Sequence, residues 1–195
     1  MILYCATTNL GKLREFRHAA VELGGDVFRI EALPGIEEIP SPAETGSAFE
    51  ENALLKASYY SGFSEELVFA DDSGLEVDAL GGEPGVKSAR YSGEGATAER
   101  NNRLLLERLR RAENRRARFV CVIALARKGE ALGVFRGTVE GEIIGEIRGG
   151  NGFGYDPLFY CPALGCTFGE AAEEMKLRVS HRGEAVRRML DSLRR

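Results

Sequence analysis

Phe69-Ala70-Asp71-Asp72-Ser73-Gly74-Leu75 decides how this chain is read, because an apolar strand, Leu67 to Ala70, runs straight into two adjacent carboxylates. Side chains alternate across a strand, so Asp71 and Asp72 face opposite sides and only one of them can serve the sheet's working side. The other is expected to be a solvated or capping carboxylate. A carboxylate at a rigid strand end, with Gly74 letting the backbone turn tightly, can hold a divalent cation or orient a water for attack. Taken by itself, Asp-Asp-Ser-Gly also reads as a plain turn.

Three further clusters carry polar residues that a turn and a core do not require. They are Thr7-Thr8-Asn9-Leu10-Gly11-Lys12, Glu44-Thr45-Gly46 leading to Asn52 and Lys56, and Gly152-Phe153-Gly154-Tyr155-Asp156-Pro157 with Lys176 and Ser180-His181-Arg182 behind it. The first lies between a buried strand, Ile2 to Ala6, and a helix marked by Leu13, Phe16 and Ala20. Amides at a helix start, with Lys12 in the first turn, form an anion site, or the loop is an ordinary capped helix with a surface lysine. Leu33 to Gly46, with three prolines, reads as an exposed loop. Ser47 and Glu50 then suit a capping box, with Phe49, Ala53 and Ala57 on one helix side and Asn52 and Lys56 on another.

Beyond Leu75, the glycine-broken stretch to Gly93 reads as irregular, and Thr97 starts a helix through Leu104, Leu105 and Leu109. Phe119 to Ala126 is apolar on both faces and hence a central strand; Lys128-Gly129 turns it into Ala131 to Val139, and Ile143 to Ile147 continues the sheet. Ser180 caps a final helix lined by Val186, Met189, Leu190 and Leu193. Gly149 to Gly154 matches neither GxGxxG after a strand nor GxxxxGK[ST]. Its glycines leave Phe153 and Tyr155 as the bulky groups, suited either to stacking on a planar base or to a bulged strand in the core.

At 195 residues and 44% hydrophobic content, the chain suits one domain, or two lobes sharing one sheet. A net charge of −4 with scattered basic residues argues against a nucleic-acid surface. Cys5, Cys121, Cys161 and Cys166 form no CxxC pair, and no segment approaches a membrane span. The expectation is a soluble cytoplasmic protein.

Taken together, Thr8-Asn9 with Gly11-Lys12, Glu44-Thr45-Gly46 with Asn52 and Lys56, Asp71 to Leu75 through Ser88-Ala89-Arg90-Tyr91, Gly152 to Pro157, and Ser180-His181-Arg182 make the chain resemble the inosine triphosphate pyrophosphatase family. The resemblance runs nearly end to end. It implies an α/β fold in which an elongated mixed β-sheet floors a cleft between two helix-flanked lobes, residues 1–195 forming one domain. It also implies a homodimer that uses Mg²⁺ to hydrolyse dITP, ITP and XTP to the monophosphate and pyrophosphate.

Carried over by motif, Asp72 is the proton acceptor for the attacking water and a metal ligand, with Glu44 the second metal ligand. Thr8, Asn9, Lys12, Lys56 and Ser73 bind the triphosphate, and Thr7 and Gly11 belong to the same loop. Phe153 stacks on the base, with Gly154, Tyr155, Asp156, Lys176, His181 and Arg182 around it. Two other functions compete. One is a Maf-type pyrophosphatase of modified pyrimidine nucleotides, disfavoured by the Gly-Phe-Gly-Tyr-Asp and Ser-His-Arg segments. The other is a non-catalytic nucleotide-binding protein, disfavoured because binding alone does not require a water activator such as Asp72.

Overall fold

The computed structural model describes Met1–Arg194. Leu3 and Cys5 are fully buried on strand β1 (Ile2–Cys5), which pairs in parallel with β2 (Arg29–Ala32) on one side and with β3 (Val68–Val77) on the other. Parallel neighbours need crossover connections, and helices α1 (Leu10–Gly24) and α2 (Phe49–Ser61) lie in them. Strand β4 (Arg116–Arg127) is buried on nearly every residue and stands in the middle of a seven-stranded sheet of order β2-β1-β3-β4-β5-β6-β7. Strand β5 (Glu130–Ile143) follows through Lys128 and Gly129, both at positive φ, the backbone that a two-residue hairpin turn requires. Strands β6 (Phe159–Cys161) and β7 (Cys166–Thr167) add antiparallel pairs, so the sheet is mixed. The remaining helices are α3 (Ala98–Arg108), capped by the Thr97 side chain, α4 (Glu173–Val179) and α5 (His181–Leu193).

The chain divides into two units. The first comprises Met1–Asp72, Cys121–Gly137 and the chain from Arg182 onward; the second comprises Ser73–Val120 and Thr138–His181. In the first, Phe16 of α1 meets Phe69 of β3 edge-on at 5.2 Å, and Val186, Met189 and Leu190 of α5 are fully buried. The second has its own core, built on Leu75, Leu105, Leu109, Phe119, Leu158, Phe159 and Phe168. Burial of such side chains contributes about 1.5–3 kcal/mol each, which makes both cores substantial.

Several elements differ from the sequence expectation. β3 does not stop at Ala70 but continues through Asp71, Asp72, Ser73 and Gly74 to Val77. Gly74 therefore makes no turn; its hydrogen faces the 3-10 segment Gly85–Arg90, where a Cβ would meet the Ser88 Oγ at 2.3 Å and the Gly85 carbonyl at 2.5 Å. Gly74→Ala should accordingly destabilise the protein by roughly 1–3 kcal/mol through overpacking, read as a lowered urea midpoint. An unchanged midpoint would show that this approach is slack.

The expected capping box does not form: the N-cap of α2 is Ala48, with no side-chain cap. α2 begins at Phe49, and it is Glu51 that accepts from the Ser47 amide at 2.7 Å, Glu50 playing no such part. The stretch after Ile143 lies outside the sheet, Leu33 and Ile36 of the exposed loop are buried, and Leu193 is only half-buried. The strands β2, β6 and β7 and the short α4 have no counterpart in the sequence reading, because each is too brief to show a period.

Candidate active site

Alternation along β3 sends the two carboxylates to different partners. Asp71 receives the Lys12 Nζ of α1 at 2.9 Å, and Asp72 receives Asn52 Nδ2 of α2 at 3.1 Å and Lys56 Nζ at 3.4 Å. Asp71 is therefore no solvated group: it is 3% exposed, and although burial opposes its charge, Lys12, Arg182 and Lys56 hold its carboxyl down at about 2. At Asp72 burial prevails over Lys56 and Asn52 and raises the carboxyl above the usual range. Lys56 is also penalised by burial, but Asp71, Asp72 and Glu44 around it keep it cationic.

Asn52 and Lys56 stand one helical turn apart and do parallel work. Asn52 Oδ1 accepts from the Gly46 amide at 2.8 Å while its Nδ2 reaches Asp72; Lys56 Nζ donates to Glu44 Oε1 at 2.7 Å as well as to Asp72. Together they tie the loop carrying Glu44 to the strand carrying Asp72. Gly46 is required there, since a Cβ would lie 2.5 Å from Asn52 Oδ1.

At the start of α1, Asn9 is the cap: its Oδ1 accepts from the Lys12 amide at 3.0 Å, and Thr7 Oγ1 accepts from the Asn9 amide. Thr8 and Asn9 are exposed and Thr7, Gly11 and Lys12 half-buried, as is Ser73. Arg182, at the start of α5, is buried, ion-paired with Glu15 of α1, and sits over the Phe16 ring at 5.6 Å.

The second unit gathers the aromatic and cationic residues. Asp156 Oδ2 accepts from the Phe153 amide at 2.8 Å and from Lys176 Nζ at 2.7 Å, so one carboxylate closes the glycine loop and anchors α4. Lys176 Nζ lies 5.4 Å from the Phe153 ring centre and 5.3 Å from that of Phe168, both within cation–π range. His181 stacks on Phe119 at 4.8 Å with an interplanar angle of 12°. Tyr155 belongs to the core, its hydroxyl donating to the Ser88 carbonyl, and Gly154 adopts positive φ with its carbonyl held by Asn102 Nδ2.

Sequence reasoning missed Glu15, Asn102 and Phe168. None of the three lies in a motif that would mark it. Among the described residues no group of three or more His, Cys, Asp or Glu side chains is gathered as metal ligands. Glu44 and Asp72 nevertheless suit Mg²⁺, which is held through one or two carboxylates and completed by waters and substrate phosphates. Both are oxygen donors already drawn to one cation, Lys56.

Fold and site define a mixed-sheet α/β protein in which a buried strand carboxylate is held beside a lysine and a second carboxylate, and an aromatic loop is held beside another lysine. The Ham1 family profile matches residues 3–192, and the chain belongs to that family. A dITP/XTP pyrophosphatase of Acidobacterium capsulatum is 50% identical, covering 99% of this chain and 98% of its own length. Another, from an Exiguobacterium species, is 50% identical over 97% of this chain and 95% of its own. The solved Staphylococcus aureus Ham1 protein superposes with a TM-score of 0.86 at 40% identity, covering 100% of this chain and 98% of that one.

Proposed function

We propose that the protein is a Mg²⁺-dependent nucleoside triphosphate pyrophosphatase that converts dITP, ITP and XTP to monophosphate and pyrophosphate. The observation that carries this reading is the Glu44–Lys56–Asp72 cluster, in which a buried carboxylate of raised pKa is held ready to take a proton. In this reading residues 1–195 act as a single domain. Thr7, Thr8, Asn9, Gly11, Lys12, Lys56 and Ser73 receive the triphosphate. Phe153, Gly154, Tyr155, Asp156, Lys176, His181 and Arg182 serve the base.

Asp72 accepts a proton from the water that attacks the α-phosphorus. Lys56 is a point charge for the phosphates, and Asn52 holds the Asp72 carboxylate in place. Glu44 and Asp72 would hold Mg²⁺, which supplies neutralisation of phosphate charge when bound. Phe153 offers a ring to the base, kept in position by the Asp156–Phe153 hydrogen bond. Free thiols at all four cysteines support a cytoplasmic setting, and among the described residues no helix is long and apolar enough to cross a membrane. The family resemblance favours a homodimer, which sedimentation would test.

Hydrolysis in labelled water tests the reaction itself. Label is expected in the nucleoside monophosphate and not in pyrophosphate, with and without Mg²⁺ measured across a panel of nucleoside triphosphates. Label confined to pyrophosphate, or release of single phosphate, would overturn the assigned bond.

Base selectivity is expected to depend on Arg182, whose guanidinium would donate to the 6-keto oxygen that adenine lacks. Losing a donor to a buried acceptor costs roughly 1–3 kcal/mol, or about ten- to a hundredfold. Arg182→Ala should lower kcat/KM for ITP by that factor while barely changing the rate on ATP. Because Arg182 also holds Glu15, both substrates must be compared on one preparation, so that lost stability cancels in the ratio. An unchanged ratio removes Arg182 from base recognition.

A further inference from the structure

The hairpin formed by β6 and β7 places Cys161 directly opposite Cys166 in antiparallel register, one residue beyond the Tyr160–Thr167 pair. The turn between them is tightly held: the Cys161 carbonyl accepts from the amides of Leu164 and Gly165, both at 3.0 Å, and Gly165 adopts φ +69°. Directly opposed residues share a face, with Cα atoms about 4.5–5.5 Å apart. That separation lies inside the range of about 4.4–6.8 Å over which a disulfide can close. Both residues are free thiols, Cys161 buried and Cys166 half-exposed.

The other two cysteines have neither an opposed thiol across a strand pair nor an accessible member. Cys5 on β1 and Cys121 on β4 are fully buried on strands that are not neighbours in the sheet, and burial raises both thiols, Cys121 to about 12. Burial and Glu170 raise the Cys166 thiol too, but Cys166 is half-exposed, so its thiolate fraction meets a reagent from solution, whereas Cys5 and Cys121 do not.

We propose that Cys161 and Cys166 form a thiol–disulfide exchange site that a small-molecule disulfide of the glutathione type converts to an intramolecular bond. The thiolate of Cys166, the accessible member, attacks one sulfur of the oxidised reagent and releases one reduced thiol after proton uptake. The Cys161 thiolate then attacks the Cys166 sulfur of the mixed disulfide and expels the second thiol. Both cysteine sulfurs are oxidised, one reagent disulfide is reduced to two thiols, and the two cysteine protons end on those products. Burial of Cys161 does not hinder the second step, because its target is already opposite it. Opposed Cβ atoms lie about 4.5–5.5 Å apart, wider than the roughly 3.8 Å of a disulfide, so closure draws the two strands inward and the bond is readily reduced again.

The test uses the full-length protein equilibrated in mixtures of reduced and oxidised glutathione, quenched with an alkylating reagent and mapped by peptide mass spectrometry. Oxidised wild type is expected to lose two alkylatable thiols, at Cys161 and Cys166, with the two peptides joined, and excess dithiothreitol should restore both. In Cys161→Ala the first step has no second partner, so glutathione should remain attached to Cys166. In Cys166→Ser neither the joined peptide nor a glutathione adduct on Cys161 should form. A persistent glutathione adduct on Cys166 of the wild type, or four intact thiols in fully oxidised glutathione, overturns the proposal. The wild-type map alone decides this if the Cys161→Ala variant fails to fold.

Discussion

Asp72→Asn is expected to keep the fold and nucleotide binding while lowering turnover by about 10²–10⁴-fold, the usual contribution of a positioned general base. An asparagine oxygen can still accept from Asn52 Nδ2, and Lys56 retains Glu44 at 2.7 Å, so the tie between the Glu44 loop and α2 survives. What the amide cannot do is take up the proton of the attacking water. Turnover and nucleotide affinity are measured on the same variant, with the urea midpoint as a control on folding. Near-native hydrolysis would remove Asp72 from the mechanism.

Lys12→Met is expected to destabilise the protein by about 3 kcal/mol, since it leaves the buried Asp71 carboxylate without its nearest cation. Asp71 is 1% exposed in its side chain and Lys12 18%, so the pair is asymmetric. Asp71→Asn should therefore cost much less, because Lys12 can turn its ammonium toward solvent while Asp71 cannot. The double variant should recover most of the loss, measured from urea midpoints without nucleotide, so that any phosphate contact of Lys12 does not enter. A loss under about 1 kcal/mol for Lys12→Met would reduce the pair to an ordinary surface bridge.

The pH dependence of this pair has a definite sign. The Asp71 carboxyl is depressed to about 2 in the folded protein, so its contribution is complete above the ordinary carboxylate range. It is lost as pH falls from that range through 2.

Local pattern was enough wherever an element is long and periodic. Leu13, Phe16 and Ala20 mark α1, the unbroken apolar run of Phe119 to Ala126 marks the central strand, and Val186, Met189 and Leu190 mark α5. Ordered motifs likewise identified the family, since residue identity and spacing survive in the linear chain. Alternation along β3 correctly separated Asp71 from Asp72, because side-chain direction in a strand is a local property.

Tertiary structure alone decided what each of those groups touches. The sequence offered Asp71 as a solvated or capping acid, and it is a buried partner of Lys12, 59 residues away. Gly74 looked like a turn and instead makes room for Ser88, and Arg182 found Glu15, 167 residues earlier in the chain. Strands of two to four residues, such as β2, β6 and β7, exist because neighbours supply their hydrogen bonds, and no local period announces them. Burial and charge at Asp72 likewise depend on distant partners, Lys56 and Asn52. The sequence determines which chemical groups are present and in what order, whereas their pKa values and pairings arise from groups brought together only by folding.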